Sequence, residues 1–394
     1  MTASALGVQP SWRAPQPSAA EYRARVEAVQ AELAVRDLDC LVAVSAYMER
    51  EGNVVYLTGH RNVFPPWASD RKRNGVGFAA AVVRPEGPIT LIASYRADEP
   101  SLAPTVGEVV PGLDLAGGLV QTLRHIAANG RCAVAGTDVL PMGVHLSVAK
   151  RLPKLEWVPA DEILTTLRSV KSDFEISQLR ASARVADQGL LAAFETARVG
   201  VTEKEIASAI QGACLQAGGD QVVRTRLRSG PELLAQGRWP LASDRPIRPG
   251  ELVYLDLLGW VGQYAFDVAR TWAVGETSPE LERLLDESVE LLQLTTSLLG
   301  ADRTGDEITS AAGTPPRGRW CGEYFQMGHG IGIECVENPW VLPGADMPLQ
   351  PGMVLSLEPS LLLPGYAKAQ QEDMVLLREN GPERLTSAPY RPAS

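Results

Sequence analysis

Four acidic residues stand inside apolar, strand-like runs: Asp256 in VYLDLLG, Asp267 in YAFDVART, Glu358 in LSLEPS and Glu372 in KAQQEDMVLL. A carboxylate in such a place costs several kcal/mol or takes up a proton unless a cation meets it. Four negative charges balance two dications, and His329, in MGHGIGIE, adds one nitrogen donor. An oxygen-rich set with one imidazole suits Mn, Fe, Co or Zn better than a thiolate-loving metal. Two such ions can share a water, bring its pKa towards neutrality and hold a substrate oxygen opposite it, which makes hydrolysis the default reaction. Gly328 and Gly330, on either side of His329, are expected to let the backbone approach the metal pair.

The elements that must carry these residues fall into two groups. Tyr22, Val26, Val29 and Leu33 recur at helical spacing and lead into CLVAVS, a β-branched run of strand type. GFAAAVVR and PITLIAS follow, split by the turn-forming PEGP, and GRCAVAGTDVLP repeats the strand-then-loop pattern. Residues 20–165 therefore read as an α/β domain, preceded by a proline-rich arm over residues 1–19 that is expected to be poorly ordered. Residues 166–394 form the second domain. They open with helices, the first capped by Ser172 or Asp173 and the next by a Thr202–Glu205 capping box. From Arg248 onward the pattern turns to antiparallel strands, with Pro-Gly turns at 249–250 and 351–352.

Length and charge exclude several classes. A chain of 394 residues exceeds what one core usually supports, hence two domains. No run of about 18 uncharged apolar residues implies a membrane span, and the N-terminal stretch lacks a basic segment followed by an apolar one, so a cytoplasmic location is expected. A net charge of -10 disfavours nucleic acid. The dense basic cluster RTRLR, Arg224–Arg228, is too short to reverse that. Five cysteines without CxxC spacing read as free thiols, and Cys321 and Cys335, near His329, as packing residues.

These spacings resemble the creatinase, aminopeptidase P and prolidase family. Its metal ligands run Asp, Asp, His, Glu, Glu, with the two Asp eleven apart, as Asp256 and Asp267 are in DLLGWVGQYAFDVART, which also carries Gly262, Tyr264, Arg270 and Thr271. GHGIGIE is similar to the family's GHGIGLE and SLEPS to its TIEPG, and Glu372 follows Glu358 by 14 residues. LRSVKSDFEISQLRASARVAD resembles the segment that joins the family's two domains, and NVVYLTGHR one in its N-terminal domain, so the likeness spans most of residues 20–385. It implies an α/β N-terminal domain plus an α+β pita-bread catalytic domain holding two divalent ions. Asp267 and Glu372 would bridge them, Asp256 would chelate one, and His329 and Glu358 would complete the other, with Glu358 also the general base. A homodimer is implied too, with His60, Arg61 and Trp67 bordering the partner's cleft.

Three departures from the Xaa-Pro peptidases stand out. Val336 replaces a second histidine seven residues after the ligand, and valine neither donates a hydrogen bond nor carries a proton. Gln236, Arg238 and Trp239 stand where a histidine segment precedes the first Asp; Arg238 would pair with a substrate carboxylate and Trp239 would wall the pocket. Gln370 replaces an arginine two residues before the last Glu. A small-molecule substrate other than an Xaa-Pro peptide is thus expected. Three activities fit: hydrolysis of a C–N bond in a small amide or dipeptide-like metabolite, lyase chemistry like that of the family's dimethylsulfoniopropionate lyases or oxidation at iron, and binding by a retired enzyme.

Overall fold

The computed structural model describes residues 15–48, 50–67, 73–94, 102–234, 239–313, 326–363 and 367–392, without the side chains of Glu232 and Leu234. Most of the expected arm, and Gln236, Arg238 and Cys321, lie outside these. The chain divides into two compact units, Met1–Arg168 and Ser169–Ser394.

In the first unit, Ser18 accepts from the Glu21 backbone N–H and caps α1 (Ala19–Val35), which buries Tyr22, Val26, Val29 and Leu33, the face that the spacing predicts. Then come β1 (Cys40–Ala46), α2 (Gly52–Thr58), β2 (Phe78–Val83), β3 (Ile89–Ala93), β4 (Val106–Pro111), α3 (Leu115–Ile126), β5 (Arg131–Ala135), α4 (Met142–Arg151), β6 (Glu156–Pro159) and α5 (Asp161–Ser169). The strands form one sheet in the order β4-β3-β2-β1-β5-β6. It is mixed because the short PEGP turn allows only antiparallel pairing of β2 with β3, whereas the helical connections make β1/β5 and β5/β6 parallel. Helices α3 and α4 cover a face rich in Val and Ala.

The second unit opens with α6 (Asp173–Thr196) and α7 (Glu203–Gln216), each begun by a complete capping box, Ser172 with Glu175 and Thr202 with Glu205. Then follow β7 (Gln221–Ser229), a 3-10 turn over Gly230–Leu234, β8 (Leu252–Val261), β9 (Tyr264–Ala273), α8 (Pro279–Ser297), α9 (Gly305–Ala312) and β10 (Gly328–Gly330). The rest is all strand: β11 (Glu337–Val341), β12 (Val354–Leu357), β13 (Ser360–Leu363), β14 (Ala367–Gln370), β15 (Asp373–Arg378) and β16 (Gly381–Arg384). β7-β8-β9 is an antiparallel meander, β13-β14 a hairpin, and β11-β10-β12-β15-β16 an antiparallel sheet.

Both faces of β8 and β9 are buried. Helix α6 covers one: Ser182 donates to the Tyr264 carbonyl at 2.9 Å, and Leu257 packs so close to Gly189 that a Cβ there would lie 2.7 Å from it. The opposite face, carrying Tyr254, Asp256 and Leu258 at period two, is left for the site. In the other sheet, Leu355 and Leu357 of β12 enter an apolar cluster with Met327, Val341 and Val375, and Ser356 between them points the other way. Among the described residues no helix is long and apolar enough to cross a membrane.

Candidate metal centre

Cross-strand register brings the first two acids together. In β8/β9, Asp256 pairs with Ala269 and Leu258 with Asp267, so both carboxylates stand on one face, one step apart diagonally. Glu372 precedes β15, and its backbone is fixed to β9: its N–H donates to the Ala269 carbonyl at 2.9 Å, and the buried Arg270 donates from Nη1 to the Glu372 carbonyl at 2.6 Å. Arg270 is anchored in turn by Asp373 at 2.7 Å. Thr271 and Gln370 exchange two further hydrogen bonds, Thr271 Oγ1 to the Gln370 carbonyl and the Gln370 N–H to Thr271 Oγ1. The Arg-Thr pair after Asp267 thus holds the segment that presents Glu372.

His329 arrives on β10 between β11 and β12, opposite Trp340 and Ser356. Its Nδ1 lies 3.0 Å from the Gly330 carbonyl oxygen, which can only accept, so Nδ1 carries a proton there and Nε2 is the ring atom turned to the acids. Nε2 lies 3.9 Å from Asp267 Oδ2 and 3.6 Å from Glu358 Oε1. The flanking glycines are required by close packing of the backbone. A Cβ on Gly328 would meet the Ser356 carbonyl oxygen at 2.5 Å, and one on Gly330 the Asn338 carbonyl oxygen at 2.2 Å. They admit the neighbouring strands, whose crowding positions the histidine.

Asp267, His329 and Glu372 each place one donor atom within 4.8 Å of the others, and all three are buried. Burial, then the charge of Asp256, pushes the Asp267 carboxyl well above the usual carboxylate range. Burial, then the charges of Asp267, Glu358 and Asp256, does the same to Glu372. Burial raises Glu358 as well, against the opposing influence of His329. Asp267 Oδ1 is buried and has no hydrogen-bond partner among the described residues. Four carboxylates gathered in a buried site, one with an orphaned oxygen, and an imidazole Nε2 facing them fit divalent cations.

Around this core lie side chains that the sequence pattern left unremarked. Ser356 Oγ lies 2.8 Å from Glu372 Oε1 and 3.0 Å from the Asp267 carbonyl oxygen. Gln326 Nε2 donates to Glu358 Oε1 at 2.5 Å. Tyr254 donates to Gln370 Oε1 at 3.4 Å. Tyr254 and Ser356 each precede a ligand candidate by two, and strand periodicity alone would have put them on the site face. Cys335, read as a packing residue, is buried but its thiol donates to Asp267 Oδ2 at 2.8 Å, and burial followed by the Asp267 charge pushes that thiol up, keeping its proton in place.

The expected substrate-binding residues separate. Gln370 reaches the site, donating from Nε2 to Glu358 Oε2 at 3.0 Å and accepting from Ser360. Val336 is half-exposed beside Cys335, and Trp239, 82% exposed, stands in solvent rather than walling a buried pocket. His60 and Trp67 follow α2 in the first unit; burial lowers the His60 imidazole to about 4, and Trp67 is exposed against Phe64. Arg61 there binds Glu51 at 2.6 Å.

Residues 177–379 match the model of metallopeptidase family M24, and residues 25–170 that of the creatinase/prolidase N-terminal domain. The chain is 27% identical over 346 residues to the uncharacterized peptidase YqhT of Bacillus subtilis, covering 86% of this chain and 92% of that protein. The crystal structure of dipeptidase PepE from Mycobacterium ulcerans aligns with a TM-score of 0.77 at 26% identity, over 96% of this chain and 99% of that one. The prolidase from Pyrococcus horikoshii OT3 aligns with a TM-score of 0.77 at 22% identity, over 93% and 99%.

Proposed function

Since the chain belongs to metallopeptidase family M24, the pita-bread family of creatinases and prolidases, we propose that it is a hydrolase. It would use two divalent ions to cleave a C–N bond of a small amide or dipeptide-like compound and would be a poor Xaa-Pro peptidase. The observation that carries this reading is the convergence of Asp267, His329 and Glu372 within 4.8 Å, beside Asp256 and Glu358, with Asp267 Oδ1 left unpartnered. Mn, Fe, Co or Zn held by these five residues would supply Lewis acidity and a water of lowered pKa. Dipeptidase PepE and YqhT support peptide-like substrates over other classes.

The chain's own residues have separable roles. Glu358 is the proton acceptor: its side chain is 22% exposed, against 9% for Asp267 and 12% for Asp256, so it alone of the three meets entering water readily. Gln326 and Gln370 orient it from its two oxygens. Val336 offers no proton and no hydrogen bond where the Xaa-Pro peptidases place a histidine, which supports a substrate without proline.

The test is product identity. Protein stripped with chelator and reloaded with each metal is offered small amides, proline-free dipeptides, Xaa-Pro dipeptides and sulfonium betaines, with mass spectrometry of the products. Amide or proline-free dipeptide cleaved with gain of one water, and Xaa-Pro dipeptides cleaved slowly, is the expected result. Products that gain no water would mean lyase chemistry, and a protein that binds no metal would be a retired one; either sinks the proposal.

A further inference from the structure

The basic cluster at Arg224–Arg228 is not a solvated patch: it is the body of β7. β7 pairs antiparallel with β8, with Arg226 opposite Asp256, Arg228 opposite Tyr254 and Arg224 opposite Leu258. Directly paired residues share a face, so the three arginines join Asp256 and Asp267 there, while Thr225 and Leu227 turn to the other, buried side. A strand that alternates arginine with Thr and Leu beside a carboxylate site is an unusual expenditure of charge in a half-buried sheet.

Arg226 makes the direct contact. Its Nη1 lies 3.2 Å from Asp256 Oδ2, its side chain is 36% exposed, and its Nε is buried with no hydrogen-bond partner among the described residues. The guanidinium thus spans from a ligand carboxylate to solvent with donor capacity to spare. Asp256, Asp267, Glu358 and Glu372 carry four charges that two dications would neutralise, and an ion on Asp256 would displace its arginine partner. Arg226 would then face the reaction site as an uncompensated cation whose planar fork fits a carboxylate with two parallel bonds. Gln370 cannot take that part, being neutral and engaged with Glu358, Ser360 and Tyr254. Lys368, which acts on Glu358, is held 5.3 Å over the Tyr254 ring.

We infer that Arg226 is a specificity residue that exchanges Asp256 for a carboxylate of the substrate once metal is bound, so that the enzyme selects small amides bearing a carboxylate close to the scissile bond. This rests on the hydrolase reading above. It makes metal and Arg226 competitors for Asp256, and it makes substrate charge the property that Arg226 reads.

The experiment uses full-length protein in wild-type, Arg226→Gln and Arg226→Lys forms. Calorimetric titration of metal-free protein with Mn²⁺ should show Arg226→Gln binding about 2- to 5-fold tighter, the size expected of a partly exposed ion pair. Kinetics then compare matched substrates differing only in charge: alanyl-alanine against its C-terminal amide, and aspartyl-alanine against asparaginyl-alanine. Wild type should favour the charged member of at least one pair by about 10- to 100-fold in kcat/KM. Arg226→Gln should lose that preference chiefly through KM, and Arg226→Lys should keep part of it. Equal rates on charged and neutral substrates in wild type, unchanged preference in Arg226→Gln, or unchanged Mn²⁺ affinity would each overturn the inference while leaving the hydrolase reading intact. Wild-type protein that binds no metal or hydrolyses nothing would remove that reading and this inference with it.

Discussion

Asp267→Asn should make the metal-free protein more stable while ending its response to metal. In the absence of an ion, Asp267 is 6% exposed, has one oxygen without a partner, and faces the charges of Asp256, Glu358 and Glu372. An asparagine of the same shape keeps an oxygen to accept from the Cys335 thiol and turns an amide donor towards the neighbouring acids. Relieving a buried, unsatisfied group is worth about 1–3 kcal/mol. Taking about 2 kcal/mol, with about 2–4 °C per kcal/mol for a domain of 150–250 residues, Asp267→Asn should melt about 4–8 °C above wild type in chelator at pH 8. Adding Mn²⁺ at about 100 times its Kd stabilises wild type by about 2.7 kcal/mol per site, or about 5–11 °C by the same conversion. The variant should gain little of this. Scanning calorimetry of both proteins, with chelator and with Mn²⁺, reads all four values. A variant that melts below wild type in chelator, or that gains as much from Mn²⁺, would refute the view of Asp267 as a charge waiting for a cation.

Two further perturbations separate the surrounding groups. Cys335→Val removes the donor to Asp267 and should weaken Mn²⁺ binding by about 10-fold, as loss of a ligand's hydrogen-bond partner typically does, while Cys335→Ser restores it; calorimetric titration distinguishes this from simple packing, which valine would satisfy better than serine. His60 offers a pH test in the first unit. Burial holds its folded-state pKa at about 4, below the ordinary histidine value of 6.5, so the unfolded chain takes up a proton first. Its contribution to stability is complete above pH 6.5 and is lost as pH falls towards 4. His60→Gln should flatten the decline in melting temperature over that window, and a decline as steep as that of wild type would show that other groups cause it.

How much was legible in the sequence differs by level. Chemistry was readable where a residue violates its surroundings: Asp256 and Asp267 do lie inside the apolar strands β8 and β9, whereas Glu358 and Glu372, expected in strands too, stand just outside β12 and β15. Helix starts were readable because a cap is local, as the Ser172–Glu175 and Thr202–Glu205 boxes show. Trp239 was not, since an aromatic side chain fits pocket and surface alike and only its 82% exposure decides. Nor was Cys335, whose neighbour Asp267 lies 68 residues away along the chain.

The sequence by itself determined the inventory of donors, their order, and the family likeness, because these are properties of type and spacing. Only the tertiary structure decided what each donor meets. Register between β7 and β8 turned a short basic run into a row of arginines on the site face. Strand crowding around β10 showed what Gly328 and Gly330 pack against. Register and close packing are set by contacts between distant segments, and no window along the chain contains both partners.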